Sequence, residues 1–413
     1  MKLEIKQRIE QIKAGQVPEG YKRTKIGVVP KEWEEVRFKK MFSRLSRKNC
    51  ENNDNVLTIS AQYGLISQSE FFHKNIASED KSNYFLLHKG EYAYNKSYSN
   101  GYPYGALKKL ERYEKGIVSP LYICFSPTSD NNCAEYYSHY FESNLIGKEI
   151  KAIAQEGARN HGLLNISVND FFNMYILNPP LAEQEKIAKV LSTQDRIIEL
   201  YQRKIKALQK MKKIYLSKMF PKKGENVPEW RFSQFNDSWE QRKAKEVCSI
   251  GTGKSNTQDQ VDDGKYPFYI RSDVPVRSNK YLYDCEAVIT IGDGNIGKVF
   301  HYVNGKFDLH QRCYKMTDFK DIWGKYFFYY FSTKFYDRAM KMTAKATVDS
   351  VRLEMISEMD IKKPPQISEQ KQIAEFFTYL DNLITLHQRK LEETKKYKKA
   401  LMQLLLTGIV RCK

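Results

Sequence analysis

Three short motifs in the chain carry residue types that phosphate or cofactor chemistry uses. Gly292-Asp-Gly294-Asn-Ile-Gly297 has the glycine spacing of a dinucleotide-binding turn and follows an apolar run over 288–291. Such a turn opens a helix whose N-terminal amides face the pyrophosphate. Here residues 298–303 alternate like a strand, and Asn304-Gly305 predicts a reversal, so the glycines are read as shaping a turn or a close backbone approach. Gly253-Lys254-Ser255 ends like a P-loop, but Cys248 stands where its first glycine belongs, so the nest of amides that cradles phosphate is missing.

Asn178-Pro179-Pro180-Leu181 shares three residues with the loop in which amino-methyltransferases hold a target adenine. Leu181 offers no ring to stack on a flipped base, and the second copy, Lys363-Pro364-Pro365-Gln366, has lost the asparagine as well. Both read as linkers that stop one element before a helix. The 7 histidines are dispersed and the 7 cysteines form no CxxC pair, so no metal site and no disulfide framework is expected. With no defensible catalytic cluster, the chain reads as non-enzymatic.

What remains is recognition chemistry. The chain carries 68 basic and 49 acidic residues, a formal charge of +19, which suits a polyanion. The tyrosine-rich loop from Tyr94 to Tyr104 places Asn95, Lys96, Ser97 and Tyr98 together. Asn and Lys side chains read base edges, while Ser and Tyr hydroxyls suit phosphates. Arg271-Ser272-Asp273 and His310-Gln311-Arg312 are dense hydrogen-bonding clusters beside expected strands. Arg159-Asn160-His161 and Lys345-Ala-Thr347 occupy comparable late positions in two halves of the chain. Tyr63, Lys254 and Asn295 complete the set of candidate DNA-facing residues. Of the 28 tyrosines, many are expected to be partly exposed, because a core rarely needs so many hydroxyls.

The elements that must position these clusters come from an internal repeat. At an offset of 186 residues, Ile187-Ala188 matches Ile373-Ala374, Asp195 matches Asp381 and Ile198 matches Ile384. Gln202-Arg203-Lys204 matches Gln388-Arg389-Lys390 in the same register, and Lys212-Lys213 matches Lys398-Lys399. Each copy follows a Pro-Pro pair and Glu-Gln, and reads as one long helix with Ser368 as an N-cap of the second. Steps of four and three visit Ile187, Leu191, Ile198 and Ile205 in the first helix. In the second they visit Ile373, Phe377, Ile384 and Leu391, and in both the seam is broken by a lysine at one matched place, Lys212 or Lys398. About 37 residues make a rod of roughly 55 Å.

The fold class expected is therefore α+β. Two globular mixed α/β domains, residues 1–178 and 226–363, are separated by two long antiparallel coiled-coil helices, 179–225 and 364–413, in a pseudo-two-fold internal repeat. No apolar run approaches the ~18 residues of a membrane span. Two other readings fit the same residues: a coiled-coil scaffold that binds proteins, and an enzyme with a site hidden in one of the globular domains.

The order of parts resembles the specificity subunit of a Type I restriction–modification enzyme over essentially the whole chain. The likeness is carried by the duplicated Pro-Pro…Glu-Gln-x-x-Ile-Ala helix, by the entries at Trp33 and Trp239, and by Gly292-Asp-Gly-Asn-Ile-Gly-Lys-Val299 with His310-Gln-Arg312. Arg352-Leu353 has only Asn165-Ile166 opposite it, so no role for Arg352 transfers to the first domain. The resemblance implies two target recognition domains, each reading one half of a bipartite sequence in double-stranded DNA. It implies two methyltransferase subunits using S-adenosylmethionine on adenine, and restriction subunits using ATP and Mg. No cofactor is implied in this chain, no membrane contact, and a cytoplasmic place in a bacterial or archaeal cell. A methyltransferase-only or Type II system with a related specificity subunit is the neighbouring alternative.

Overall fold

The computed structural model describes residues 3–60, 64–72, 80–97, 102–129, 132–143, 145–154, 164–343 and 350–412. The chain divides into two compact units, residues 1–200 with 391–413, and residues 201–390. The division falls inside the two long helices, Leu181–Lys218 and Ile367–Leu405, so each unit takes in a part of both.

In the first unit the chain enters the globular part on strand Glu34–Arg37 and leaves it on Tyr175–Asn178, and these two strands pair antiparallel. Between them lies a four-stranded antiparallel sheet in the order Phe42–Leu45, Ile123–Pro127, Tyr92–Asn95, Ala106–Lys109. Alternation sends Tyr92, Tyr94 and Phe125 to one face, where they join Phe38, Phe42 and the helix Ala134–Glu142 in the main core. Tyr92 and Phe125 stack with ring centroids 5.2 Å apart.

Many tyrosines are partly exposed, as expected, Tyr281, Tyr336, Tyr379 and Tyr397 most of all, but others build the core. Tyr92, Tyr94, Tyr136, Tyr137 and Tyr140 are among the largest fully buried side chains. Burial is tolerated where the hydroxyl finds an acceptor. Tyr92 donates to the Ala134 carbonyl at 2.9 Å, Tyr94 to the Tyr104 carbonyl at 2.7 Å, and Tyr137 to Asn178 Oδ1 at 2.9 Å.

The second unit repeats the entry and exit but not the interior. Glu240–Lys243 pairs antiparallel with Asp360–Lys363. Between them runs a six-stranded sheet in the order Ser249–Thr252, Cys313–Thr317, Tyr283–Ile291, Phe300–Leu309, Tyr266–Tyr269, Val276–Ser278. The helix Gly324–Thr343 supplies Tyr326, Phe327, Phe331 and Phe335 to the core beside it.

The reversal expected at Asn304-Gly305 is not there. Both residues lie inside the ten-residue strand Phe300–Leu309, with Asn304 opposite Glu286 and Gly305 opposite Cys285. Eight consecutive residue pairs hold the two strands in register, and that ladder overrides a local turn signal. Gly305 meets the ladder at φ +129°, a conformation that favours glycine. The chain turns instead at the glycine motif between Ile291 and Phe300.

The long helices behave alike in each unit. In the first, Ile187 and Leu191 share a core with Met402 and Leu405, and Leu391 is 9 % exposed. In the second, Leu208 and Met219 share a core with Ile373, Phe377 and Ile384, while Ile205 is also buried. Ile198 is half-buried. The helix at Ile367 begins one residue before Ser368, which therefore lies in the first turn rather than capping it. Its hydroxyl reaches the Gln366 side chain at 3.5 Å.

Candidate nucleic-acid interface

The matched Glu-Gln of the repeat is a lock between helix and domain. Glu183 accepts from Trp33 Nε1 at 2.8 Å and from both Nε and Nη2 of Arg411 at 2.8 Å. Its repeat-mate Glu369 accepts from Trp239 Nε1 at 3.3 Å and from Arg231 Nε and Nη2 at 2.6 and 2.7 Å. Burial works against the charge on Glu183, but Arg411 and Trp33 hold its carboxyl below the usual range. The neighbouring Gln184 donates to the Pro179 carbonyl at 2.8 Å and accepts from Cys133 N at 3.1 Å. Gln370 donates to the Pro364 carbonyl at 2.9 Å and accepts from Trp323 N at 2.8 Å. One amide thus ties each double proline to the segment that opens the domain's main helix.

The lysines that break the two seams are paired. Lys398 Nζ lies 2.6 Å from Asp195 and 2.9 Å from Glu142, and Lys212 Nζ lies 2.5 Å from Asp381. His139, Glu142 and Asp195 present ligand-type atoms within 4.8 Å of one another. Lys398 already stands among those oxygens, so the cation of this cluster is an ammonium.

In the second unit, four segments that look unrelated in sequence converge. Gly292 N donates to the Arg312 carbonyl at 2.7 Å, and a Cβ at Gly292 would lie 2.7 Å from that oxygen. The Gly253-Lys254-Ser255 loop is fastened to the His310-Gln-Arg312 turn. Lys254 N and Ser255 N both donate to the Leu309 carbonyl at 3.1 Å, and Gln311 N donates to the Ser255 carbonyl at 2.9 Å. Gln311 Nε2 donates to Asn256 Oδ1 at 2.5 Å, and Ser255 Oγ donates to the buried Asp308 at 2.6 Å. The result is an open cleft of about 420 Å³ lined by Thr257, Ile270, Arg271, Ser272, Asp293, Gly294, Asn295 and His310.

At this cleft Arg271 and Arg312 converge on one carboxylate. Arg271 Nη1 lies 3.1 and 3.2 Å from the two oxygens of Asp293, and Arg312 Nη1 lies 2.8 Å from Oδ2. Burial opposes the charge, but Arg312 and Arg271 keep the Asp293 carboxyl below its ordinary value. His310 Nδ1 accepts from Arg312 N at 3.1 Å, which leaves Nε2 facing Thr257 Oγ1 at 3.5 Å. Burial, then Arg271 and Arg312, pull the His310 pKa down, so the ring is neutral. Lys254, Arg271, Asp273, Asn295, Gln311 and Arg312 are exposed, and Ser272 is half-buried.

The first unit's candidates are less concentrated. Asn95 is spent on local structure: Oδ1 accepts from Ser97 N at 3.0 Å and Nδ2 donates to Tyr122 OH at 3.3 Å. The Lys96 carbonyl accepts from Leu164 N at 3.0 Å, and Lys96 and Ser97 are half-buried. Tyr63, Tyr98, Arg159, Asn160, His161, Lys345 and Thr347 lie outside the described residues. Asp293 and Thr257 were absent from the sequence-based candidates. The acid between two glycines was legible as a turn, but its arginine partners lie 22 and 19 residues away.

Two unlike α+β domains, one on an antiparallel sheet and one on a mixed sheet, are each locked by a Trp–Glu–Arg contact to one copy of a duplicated helix, and this defines a two-domain class. The model of the Type I restriction modification DNA specificity domain matches the chain twice, over residues 30–210 and 236–396. The chain belongs to this family, and its function is that of a sequence-specific DNA-binding specificity subunit. It is 27 % identical over 337 residues to the Type I restriction enzyme MjaVIII specificity subunit of Methanocaldococcus jannaschii, covering 74 % of this chain and 73 % of that one. It is 24 % identical over 433 residues to the putative MjaX specificity subunit of the same organism, covering 96 % and 97 %. Its fold is similar to that of the S subunit of a Type I restriction–modification system from M. genitalium, with a TM-score of 0.60 at 13 % identity over 90 % of this chain and 96 % of that one. Among the described residues no helix is long and apolar enough to cross a membrane.

Proposed function

We propose that each unit reads one half of a split target in double-stranded DNA, and that the paired helices act as an antiparallel coiled-coil spacer with pseudo-two-fold symmetry. The observation that carries this reading is the matched lock. Trp33–Glu183–Arg411 and Trp239–Glu369–Arg231 hold two different domains to equivalent places on a duplicated helix. A frame that is repeated while its contents differ suits two independent readers on one measure. The spacer reading is supported by the 38 and 39 residues of the helices, each about 57 Å long at ~1.5 Å per residue.

In this reading the chain itself catalyses nothing. Two methyltransferase subunits supply S-adenosylmethionine-dependent adenine methylation, and restriction subunits supply ATP- and Mg-dependent cleavage. The net charge of +19 contributes the sequence-independent part of binding, which weakens steeply with salt. The test is long-read mapping of methyladenine in cells expressing the chain with and without its methyltransferase partner. A new split motif that needs both chains supports the reading. No new motif, with the methyltransferase active beside another specificity chain, removes it.

A further inference from the structure

We infer that Asp293 is a positioning residue that presents Arg271 and Arg312 together as a guanine-reading pair in the second domain's half-site. The inference rests on the DNA-reading role proposed above and deepens it.

The argument starts from which donors are spent. Asp293 engages only Nη1 of each arginine, at 3.1 and 3.2 Å for Arg271 and 2.8 Å for Arg312. Among the described residues, Nε and Nη2 of both guanidiniums have no hydrogen-bond partner. That remaining edge carries two parallel N–H groups, the fork that matches O6 and N7 of guanine in the major groove. A guanidinium fixed at one end loses less side-chain entropy on binding than a free one.

The backbone that carries the carboxylate is itself fixed. Its turn is tied by the Gly292 amide to the Arg312 carbonyl at 2.7 Å, and the Val351 amide donates back to the Gly292 carbonyl at 2.7 Å. The backbone of Asp293 pairs with that of Ser350 in an isolated antiparallel β-bridge. Arg312 is held from the other side by the bond from its own amide to His310 Nδ1 at 3.1 Å. The two arginines are 46 % and 62 % exposed at their side chains, while Asp293 is 23 % exposed. The anchor is therefore the shielded member and the forks face solvent. Removing one negative charge would leave two like charges side by side, free to separate.

The same fork also fits two phosphate oxygens, so the test must separate base from backbone. The full chain is assembled with its methyltransferase partner and used to select from duplex DNA with randomised half-sites, at two salt concentrations. Asp293→Asn, Asp293→Glu, Arg271→Ala and Arg312→Ala are compared with the parent protein. The expected result is that Asp293→Asn lowers preference for guanine about 10-fold at the positions that the arginine variants also relax, within one half-site only. Asp293→Glu, which keeps the charge, restores part of that preference even where Asp293→Asn lowers the melting temperature.

Relaxation in the arginine variants with unchanged preference in Asp293→Asn overturns the positioning role and leaves the DNA-reading role standing. A uniform loss of affinity across all sequences, with a shallower salt dependence, assigns the arginines to phosphate and overturns the guanine pair. A parent complex without any half-site preference removes the DNA-reading role itself.

Discussion

Lys398 donates to Asp195 across the two long helices at 2.6 Å, and its repeat-mate Lys212 makes the same contact to Asp381 at 2.5 Å. A lysine in an apolar seam is costly unless its charge is matched. Here each copy of the helix supplies the lysine for one pair and the aspartate for the other. The two helices are thereby specified as partners and in register, in the first unit and again in the second.

The two pairs differ in depth, which predicts an asymmetry. Lys398 is 10 % exposed and serves two carboxylates, whereas Lys212 is 25 % exposed and serves one. Changing Lys398 to Ala leaves Glu142 and Asp195 facing each other and is expected to cost about 2–3 kcal/mol, reduced from the fully buried case by their partial exposure. The Lys212 change is expected to cost about half as much. Chemical denaturation of each variant decides the order.

Acid should weaken the first unit through a buried histidine. Burial, and then Lys398, depress the His139 pKa from 6.5 to about 4, while Ser192 Oγ lies 3.0 Å from the ring. Between those values the unfolded chain binds a proton that the folded one refuses, so stability falls as the pH drops from 6.5 toward 4. The loss is about 3 kcal/mol when complete. Glu142, held at about 2 by Lys108 and Lys398 against burial, extends the loss below its ordinary carboxyl range. Burial raises the Asp195 carboxyl and partly offsets that lower limb. Denaturation midpoints across pH 4–7 should slope for the parent protein and slope less in His139→Gln, the remainder coming from His301, His310 and His387, whose pKa values burial also lowers.

The lock at the second helix is the more deeply buried of the two. Glu369 is 1 % exposed, and changing Arg231 to Ala strands its carboxylate beside Trp239. A loss of about 3 kcal/mol is expected, with Arg231→Lys recovering little because a point charge cannot reproduce the two-bond contact. Equilibrium unfolding followed by tryptophan fluorescence measures both.

Lys96 tests the first domain. Its change to Ala should alter base preference in one half-site and leave the half read by Arg271 and Arg312 unchanged. Methylation mapping that shows the same motif as the parent removes Lys96 from the reading set.

A seven-residue insertion in both long helices adds about 10.5 Å to the spacer. The gap between half-sites should grow by about three base pairs at ~3.4 Å each. An unaltered gap contradicts the spacer role.

Much of this molecule is legible in its sequence because repetition amplifies weak signals. The offset of 186 picks out Asp195, Asp381, Lys212 and Lys398 before any contact is known, and only their crosswise pairing needs three dimensions. The locks on Glu183 and Glu369 are half legible: the tryptophans share an entry motif, but Arg411 and Arg231 come from unrelated places in the chain. Asn304-Gly305 shows the opposite case, a strong local turn signal absorbed by a long strand ladder. The cleft of the second domain was visible only as separate motifs. Asp293 joins them through space, at separations no periodicity marks.

The most direct test of two independent readers on one frame is an exchange of the second interior. Residues 244–359, the segment between the paired entry and exit strands, are replaced by the corresponding segment of a related specificity subunit of known target. The methylated motif is then mapped. The account predicts that one half-site changes to that of the donor, while the other half and the gap between them stay as they were. A motif altered in both halves, or in neither, would contradict it.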